Sequence, residues 1–347
     1  MHPISRRTLL AGGLLLPRLA AAAAPLKVVS VRQVFHNGEH NAFTDMVLFR
    51  GRMYLTFRTC PEGHMLFPSS RILVLESVDG KDWRQVHEFS VPDRDVRDPH
   101  FLVFQGKLFV YSGTWYTGKK APENRDMNEM LGFAAWSSDG QDWHGPEMLE
   151  GTYGHYVWRA AAYDGKAWLC ARRKHLFEKF EKHPDSGPSV EAALMASDDG
   201  LIFHKVGLFQ ETGGNETAFL FEKDGAVLAV ARGGDRGNAE LCQARPPYEA
   251  FRRRDLGRYL GGPMLARWGD RYLVAGRRMT DGKDPVTALY WLDPDKAELT
   301  EIATLPSGGD NSYPGFVEIS PTRGLLSYYS SHATEKAAIF LAELEIG

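Results

Sequence analysis

One hairpin recurs six times along this chain, and the recurrence constrains the fold more than any other feature. Each copy reads as an apolar run, a tight turn, a second apolar run, and then polar or cationic residues. The copies span 44–58, 98–113, 158–172, 216–232, 263–277 and 313–331, with turn glycines at Gly51, Gly106, Gly165, Gly225, Gly269 and Gly324. Neighbouring turn glycines stand 44 to 60 residues apart. Strand-like units repeating at about 50 residues are the mark of propeller blades, each a small sheet that cannot bury its faces alone. The pattern predicts an all-β, six-bladed β-propeller. The partly alternating stretch 26–35 precedes the first hairpin without a partner of its own. It is expected to complete the last blade beside the strand-like stretch 337–346, which closes the ring and removes free sheet edges.

The first residues read as a separate element. Arg6 and Arg7 precede a short apolar run and a block of alanines ending at Ala24. This is the pattern of a twin-arginine export signal over 1–24. Its apolar part is shorter than the roughly 20 residues of a membrane span. The expectation is one propeller domain over 25–347, monomeric, without a stable membrane anchor, and delivered to the periplasm or the medium. Formal charge is −3, and the leader holds Arg6, Arg7 and Arg18 with no acid, which leaves the remainder at −6. That balance carries no footprint for nucleic acid. Cys60, Cys170 and Cys242 allow one disulfide at most, and none stands in a metal-ligand spacing. No dinucleotide fingerprint, phosphate loop or zinc ligand set appears, so no cofactor is expected. His36 and His40 are four apart, but on a Gly-containing loop that reads as surface and not as a metal site.

A second repeat runs in register with the first. Ser77, Asp79, Gly80 and Trp83 recur as Ser137, Asp139, Gly140 and Trp143, and again as Ser197, Asp199, Gly200 and Phe203. The Ser and Asp oxygens suit turn amides, the Gly permits a positive φ, and the aromatic ring suits a blade interface. The heptad resembles the Asp-box (BNR) motif of sialidases. In that family the boxes are structural and lie on the face away from the active site.

In a propeller the start of each innermost strand and the end of the next share one face. Here that face collects Asp45, Asp98, Arg159, Glu216 and Tyr313 from hairpin starts, and Arg58, Arg172, Arg232, Arg277, Arg278 and Tyr328 from hairpin ends. The order of Glu216, Arg232, Arg277 or Arg278, and Tyr313 is similar to that of sialidases, six-bladed propellers whose Glu and Tyr form a nucleophile pair and whose arginines grip a substrate carboxylate. The resemblance implies Tyr313 as nucleophile, Glu216 as its base, and Arg232 with Arg277 or Arg278 as the anion clamp of an exo-glycosidase. A phenol needs such a carboxylate to take its proton, and paired guanidiniums match a carboxylate in bidentate geometry. The family also implies an Arg where blade one opens, but the chain has Phe43, Thr44, Asp45 and Met46 there. Arg58, Arg97 or Arg159 is then expected to complete the clamp, around a terminal and anionic sugar. The loop 59–70 holds no Asp for leaving-group protonation, which leaves Asp45, Glu62 or His64.

Three alternatives remain open at the level of sequence. Asp45, Asp98 and Glu216 resemble the three-carboxylate site of five-bladed furanosidase propellers, and glycoside hydrolysis needs a carboxylate pair. His64, His155 or His332 with Tyr313 or Tyr328 could abstract the C5 proton of a uronate, as a polysaccharide lyase does. A non-catalytic carbohydrate-binding propeller is the fourth reading, because fold does not fix function. In every case the expected partner is a glycan.

Overall fold

The computed structural model describes residues 25–120, 125–177, 187–280 and 283–347. The leader over 1–24 and the charged stretch 178–183 lie outside the described residues. Six four-stranded antiparallel sheets form six blades, as the hairpin repeat predicts. The first blade runs through His40–Phe49, Arg52–Cys60, Arg71–Ser77 and Arg84–Phe89 in that spatial order. The innermost strands of the next four are Arg94–Phe104, Tyr156–Tyr163, Thr217–Phe221 and Gly261–Trp268. The sixth blade orders Ser312–Ser320, Arg323–Ser330, Ala338–Ile346 and then Leu26–Phe35. Leu26 pairs with Ile346 and Gln33 with Phe340, so the first and last strands of the described residues share one sheet. Helical structure among the described residues is limited to short 3-10 turns such as Met127–Glu129.

Burial follows position within the blade. The second strand of the fourth blade, Val227–Ala231, is buried at every residue because a neighbouring blade covers each of its faces. The outermost strand of the first blade, Arg84–Phe89, buries Phe89 alone. The core therefore lies in layers between blades. Leu102, Phe104, Phe109 and Tyr111 of the second blade pack with Leu169, Met195 and Phe203 of the third. Cys60, Cys170 and Cys242 are buried as free thiols.

The three boxes occupy the turns from third to fourth strand, on the same face as the hairpin turns. Ser137 Oγ accepts from the Gly140 amide at 2.8 Å, and Asp139 Oδ1 from the amides of Gln141 and Asp142 at 2.8 and 2.9 Å. The box at Ser77 and the box at Ser197 repeat these bonds. Each glycine packs on the preceding blade: Gly80 on Leu325, Gly140 on Tyr54 and Gly200 on Tyr111. The boxes thus staple one blade to the last. Gly140 has φ of +81°, and a Cβ there would lie 1.9 Å from the Tyr54 hydroxyl. Gly106 has φ of +73° but open space around its would-be Cβ. Both Gly→Ala changes incur the backbone strain, and Gly140→Ala adds an overpacking cost of about 1–3 kcal/mol. Urea denaturation of the two variants side by side should show that gap, and equal losses would refute the stapling role.

Candidate active site

The opposite face is built from backbone irregularities at equivalent places. The ladder between first and second strands slips after Ala42, Arg97, Val157, Gly261 and Ser312, in five of the six blades. Bulges of this kind re-aim side chains beside active sites. Phe43, Asp98 and Tyr313 sit at three of them with φ of 63°, 48° and 51°, a conformation that bulky residues adopt only when the surroundings impose it. At a fourth, Gly262 has φ of 55°, and a Cβ there would lie 2.6 Å from the Tyr313 ring. The fourth blade has no slip, and Glu216 directly precedes its first strand.

These positions converge on a cavity of about 220 Å³. The first blade contributes Phe43 and the loop residue His64, and the second Arg97, Asp98 and Trp115. Tyr156 and Arg172 come from the third blade, Asn215, Glu216 and Arg232 from the fourth, and Arg277 and Tyr313 from the last two, and Arg125 also lines the cavity. The lining thus sets five arginines against two carboxylates, which favours an anionic ligand.

Glu216 and Tyr313 form the centre. The Tyr313 hydroxyl donates to Glu216 Oε1 at 2.8 Å, while Arg232 Nη1 and the Gly262 amide donate to Oε2 at 2.9 and 3.0 Å. Burial alone would raise the Glu216 pKa, but Arg232 and Arg172 pull it down to about 2. Burial and the Glu216 carboxylate push the Tyr313 phenol well above its ordinary value. The pair is therefore a neutral phenol against a carboxylate. Arg277 lies 5.3 Å over the Tyr313 ring and bonds Asp310 Oδ1 at 2.7 Å and the Asn311 carbonyl at 2.6 Å. Asp98 is raised to about 6 by burial and by Glu216, against the pull of Arg97.

Several residues expected at the site stand elsewhere, each for a visible reason. Arg58 is fully buried and bonds Asp95 at 2.6 Å and the carbonyls of Gly63 and Met65, so it fastens the first blade to the second. Arg159 holds Asp45 Oδ1 at 2.9 Å and the Pro314 carbonyl at 2.6 Å, which ties the third blade to the first and sixth. Asp45 also accepts from the Phe101 amide at 2.9 Å, and both partners lie off the cavity lining. Asp45, Asp98 and Glu216 accordingly do not share one cavity as a three-carboxylate site. Glu62 is exposed, bonds Ser69, and is not on the lining. Arg278 pairs with Glu301 at 3.4 Å, leaving Arg277 as the arginine of that dyad at the cavity. Tyr328 is buried with its hydroxyl on the Pro306 carbonyl at 3.0 Å, and His332 packs on Phe340. His155 is buried against the Tyr153 carbonyl. His36 is exposed, whereas His40 is buried and bonds Asp310 at 3.2 Å.

The positional rule places Arg172 on this face without giving it a role, and it assigns none to Trp115, Tyr156, Asn215 or Arg125, which also line the cavity. Arg172 closes its hairpin as Arg232 closes the next, so the positional rule that marks one marks the other. Tyr156 precedes its hairpin start and carries no such signal.

No family model matches the chain, and no curated protein matches it in sequence. Solved structures match it in fold. A protein of unknown function from Dyadobacter fermentans superposes with a TM-score of 0.77 at 20% identity, over 93% of this chain and 99% of that one. Trypanosoma rangeli sialidase in complex with sialic acid superposes with a TM-score of 0.64 at 14% identity, over 94% of this chain. The chain spans 60% of the length of that sialidase. A K499G mutant of NanB sialidase from Streptococcus pneumoniae gives a TM-score of 0.64 at 12% identity, over 90% of this chain and 70% of that one. The fold is a sialidase-like six-bladed propeller.

Proposed function

We propose that the protein is an exo-glycosidase that hydrolyses a terminal, anionic sugar through a Tyr313–Glu216 pair. The bond from the Tyr313 hydroxyl to Glu216 inside an arginine-lined cavity carries this reading. The cavity is small beside the about 300–1,000 Å³ of a drug-sized site. It suits one sugar ring, which favours action at a chain end.

Arg232 links anion binding to chemistry. In the unliganded site its guanidinium bonds Glu216 and keeps that carboxylate a weak base. A substrate carboxylate at Arg232 and Arg277 shares that positive charge and returns proton affinity to Glu216. Glu216 then takes the Tyr313 proton as the phenol oxygen attacks the anomeric carbon. A neutral phenol also avoids driving an anion toward a carboxylate-bearing centre. Arg97, held at Asp95 with its guanidinium over the Phe43 ring, is the third cation of the clamp in place of a blade-one arginine. The basic, apolar and alanine-rich N-terminal stretch supports export of the protein.

Release of a terminal sugar should be followed by mass spectrometry on sialyl and uronic-acid glycosides, each offered as free acid and as methyl ester. The free acid should be hydrolysed and its ester lose about 10²-fold or more in kcat/KM, as expected when a charged hydrogen-bonded pair is broken. Equal turnover of acid and ester would remove the anion clamp. An unsaturated product would assign elimination instead, and binding without turnover a carbohydrate-binding propeller.

A further inference from the structure

A departing glycosidic oxygen needs a proton, and the role of its donor rests on the glycosidase reading of the site. Of the acids expected from sequence, Asp45 is pinned by Arg159 off the lining, and Glu62 is outside it. His64 lines the cavity, but its Nδ1 is engaged with Asp310 at 2.7 Å, and desolvation lowers its pKa against the pull of that carboxylate, so the ring is neutral near pH 7. We propose that Asp98 is the proton donor: the second blade carries its carboxyl group into the cavity shared with Glu216 of the fourth and Tyr313 of the sixth, with one oxygen lacking a partner among the described residues.

Three observations support this. Asp98 is 5% exposed, the Tyr156 hydroxyl donates to its Oδ2, and its Oδ1 is buried without a hydrogen-bond partner among the described residues. Such an orphaned oxygen is costly unless a ligand supplies the missing bond. With Oδ2 occupied, Oδ1 is the oxygen that holds the proton and meets the leaving group. The left-handed φ of 48° is a strain held at this residue, as at Phe43 and Tyr313 on the same lining. Finally, the second, fourth and sixth blades alternate around the ring, so the acid, the base and the nucleophile come from three separate sides.

The electrostatics agree. Asp98 faces Arg97, Arg159 and Arg172 as cations, and Tyr156, Tyr313 and Glu216 as groups that disfavour its charge or bond it. Burial and Glu216 prevail and raise it to about 6, while Glu216 falls to about 2. Two carboxyl groups in one cavity driven apart in this way take the acid and base roles. In the first step the Tyr313 oxygen bonds the anomeric carbon, its proton passes to Glu216, the glycosidic C–O bond breaks, and the Asp98 proton goes to the leaving oxygen. In the second, Asp98 carboxylate takes a proton from water, the hydroxide bonds the anomeric carbon, and Tyr313 departs with its proton returned from Glu216.

The test compares Asp98→Asn with the parent on two glycosides of the same sugar, one with an alkyl leaving group and one with a dinitrophenyl group that needs no proton. Asparagine resembles the protonated carboxyl and keeps an acceptor for Tyr156. The alkyl substrate should lose about 10²–10⁴-fold in kcat/KM and the dinitrophenyl substrate less than about 10-fold. The alkaline limb of the parent's kcat/KM profile near pH 6 should vanish in the variant. Tyr156→Phe removes a donor that favours the charged form, so the alkaline limb of its kcat/KM profile should move to higher pH, a shift read from the position of the limb whatever the height of the profile. Equal losses on both substrates, no loss on either, or the same leaving-group dependence produced by His64→Gln would overturn the assignment. A parent that hydrolyses neither substrate would overturn the glycosidase reading and this assignment with it.

Discussion

Tyr313→Phe should lower kcat by about 10³-fold or more while leaving the anion clamp in place. The hydroxyl it removes is the atom that donates to Glu216 at 2.8 Å and stands 3.4 Å from Arg232. The ring remains, and with it the packing against Phe43 at 5.0 Å and the stacking of Arg277 at 5.3 Å. Glu216 keeps Arg232 and the Gly262 amide on its other oxygen, so the cost to folding is on the order of 1–2 kcal/mol. Binding of the free-acid sugar, measured by calorimetry, should change by no more than about 10-fold, because Arg97, Arg232 and Arg277 are untouched. A variant that turns over at the parent's rate would remove Tyr313 from the chemistry. A variant that loses binding and turnover together would make it a positioning residue.

The blade count, the ring closure and the face that bears the site were legible from hairpin periodicity, because each blade repeats the same burial pattern. Glu216, Arg232, Arg277 and Tyr313 were legible because hairpin starts and ends fall on one face, and the structure gathers all four at one cavity. The same rule admitted Arg58 and Arg159, which the structure turns into blade ties. Strand position selects a face but not a depth, and the bulges decide which side chain at a hairpin start reaches the cavity. Those bulges follow no sequence mark except Gly262, since Phe43, Asp98 and Tyr313 adopt φ values that their side chains disfavour. Asp310 and Asp95 lie beyond the repeat logic altogether. The first precedes its hairpin, and the second is the second residue of its strand, three residues ahead of the Asp98 that the pattern highlights.

Asp95 is where stability should be most sensitive. It is fully buried and accepts from Arg58 Nη2 at 2.6 Å, Arg97 Nε at 2.6 Å and the Phe67 amide at 2.9 Å. The two guanidiniums also bond the carbonyls of Gly63, His64 and Met65, so one carboxylate organises the loop that brings His64 to the cavity. Asp95→Ala would leave two buried cations facing each other, and removing one partner of a buried pair costs about 3–5 kcal/mol. Denaturant unfolding should show that loss. Burial alone would raise the Asp95 pKa, but Arg97 and Arg58 hold it below the ordinary range. A folded-state pKa below the unfolded value of about 3.9 means that the stabilisation is complete above that pH and is lost as pH falls through the folded value. The parent should therefore lose stability steeply below about pH 4, and Asp95→Ala, which has no such proton to take up, less steeply. An unchanged slope, or a variant as stable as its parent at neutral pH, would show that the two arginines are held by their carbonyl partners and not by this charge. In that event the loop would keep its shape, and Asp95→Ala would also leave turnover intact.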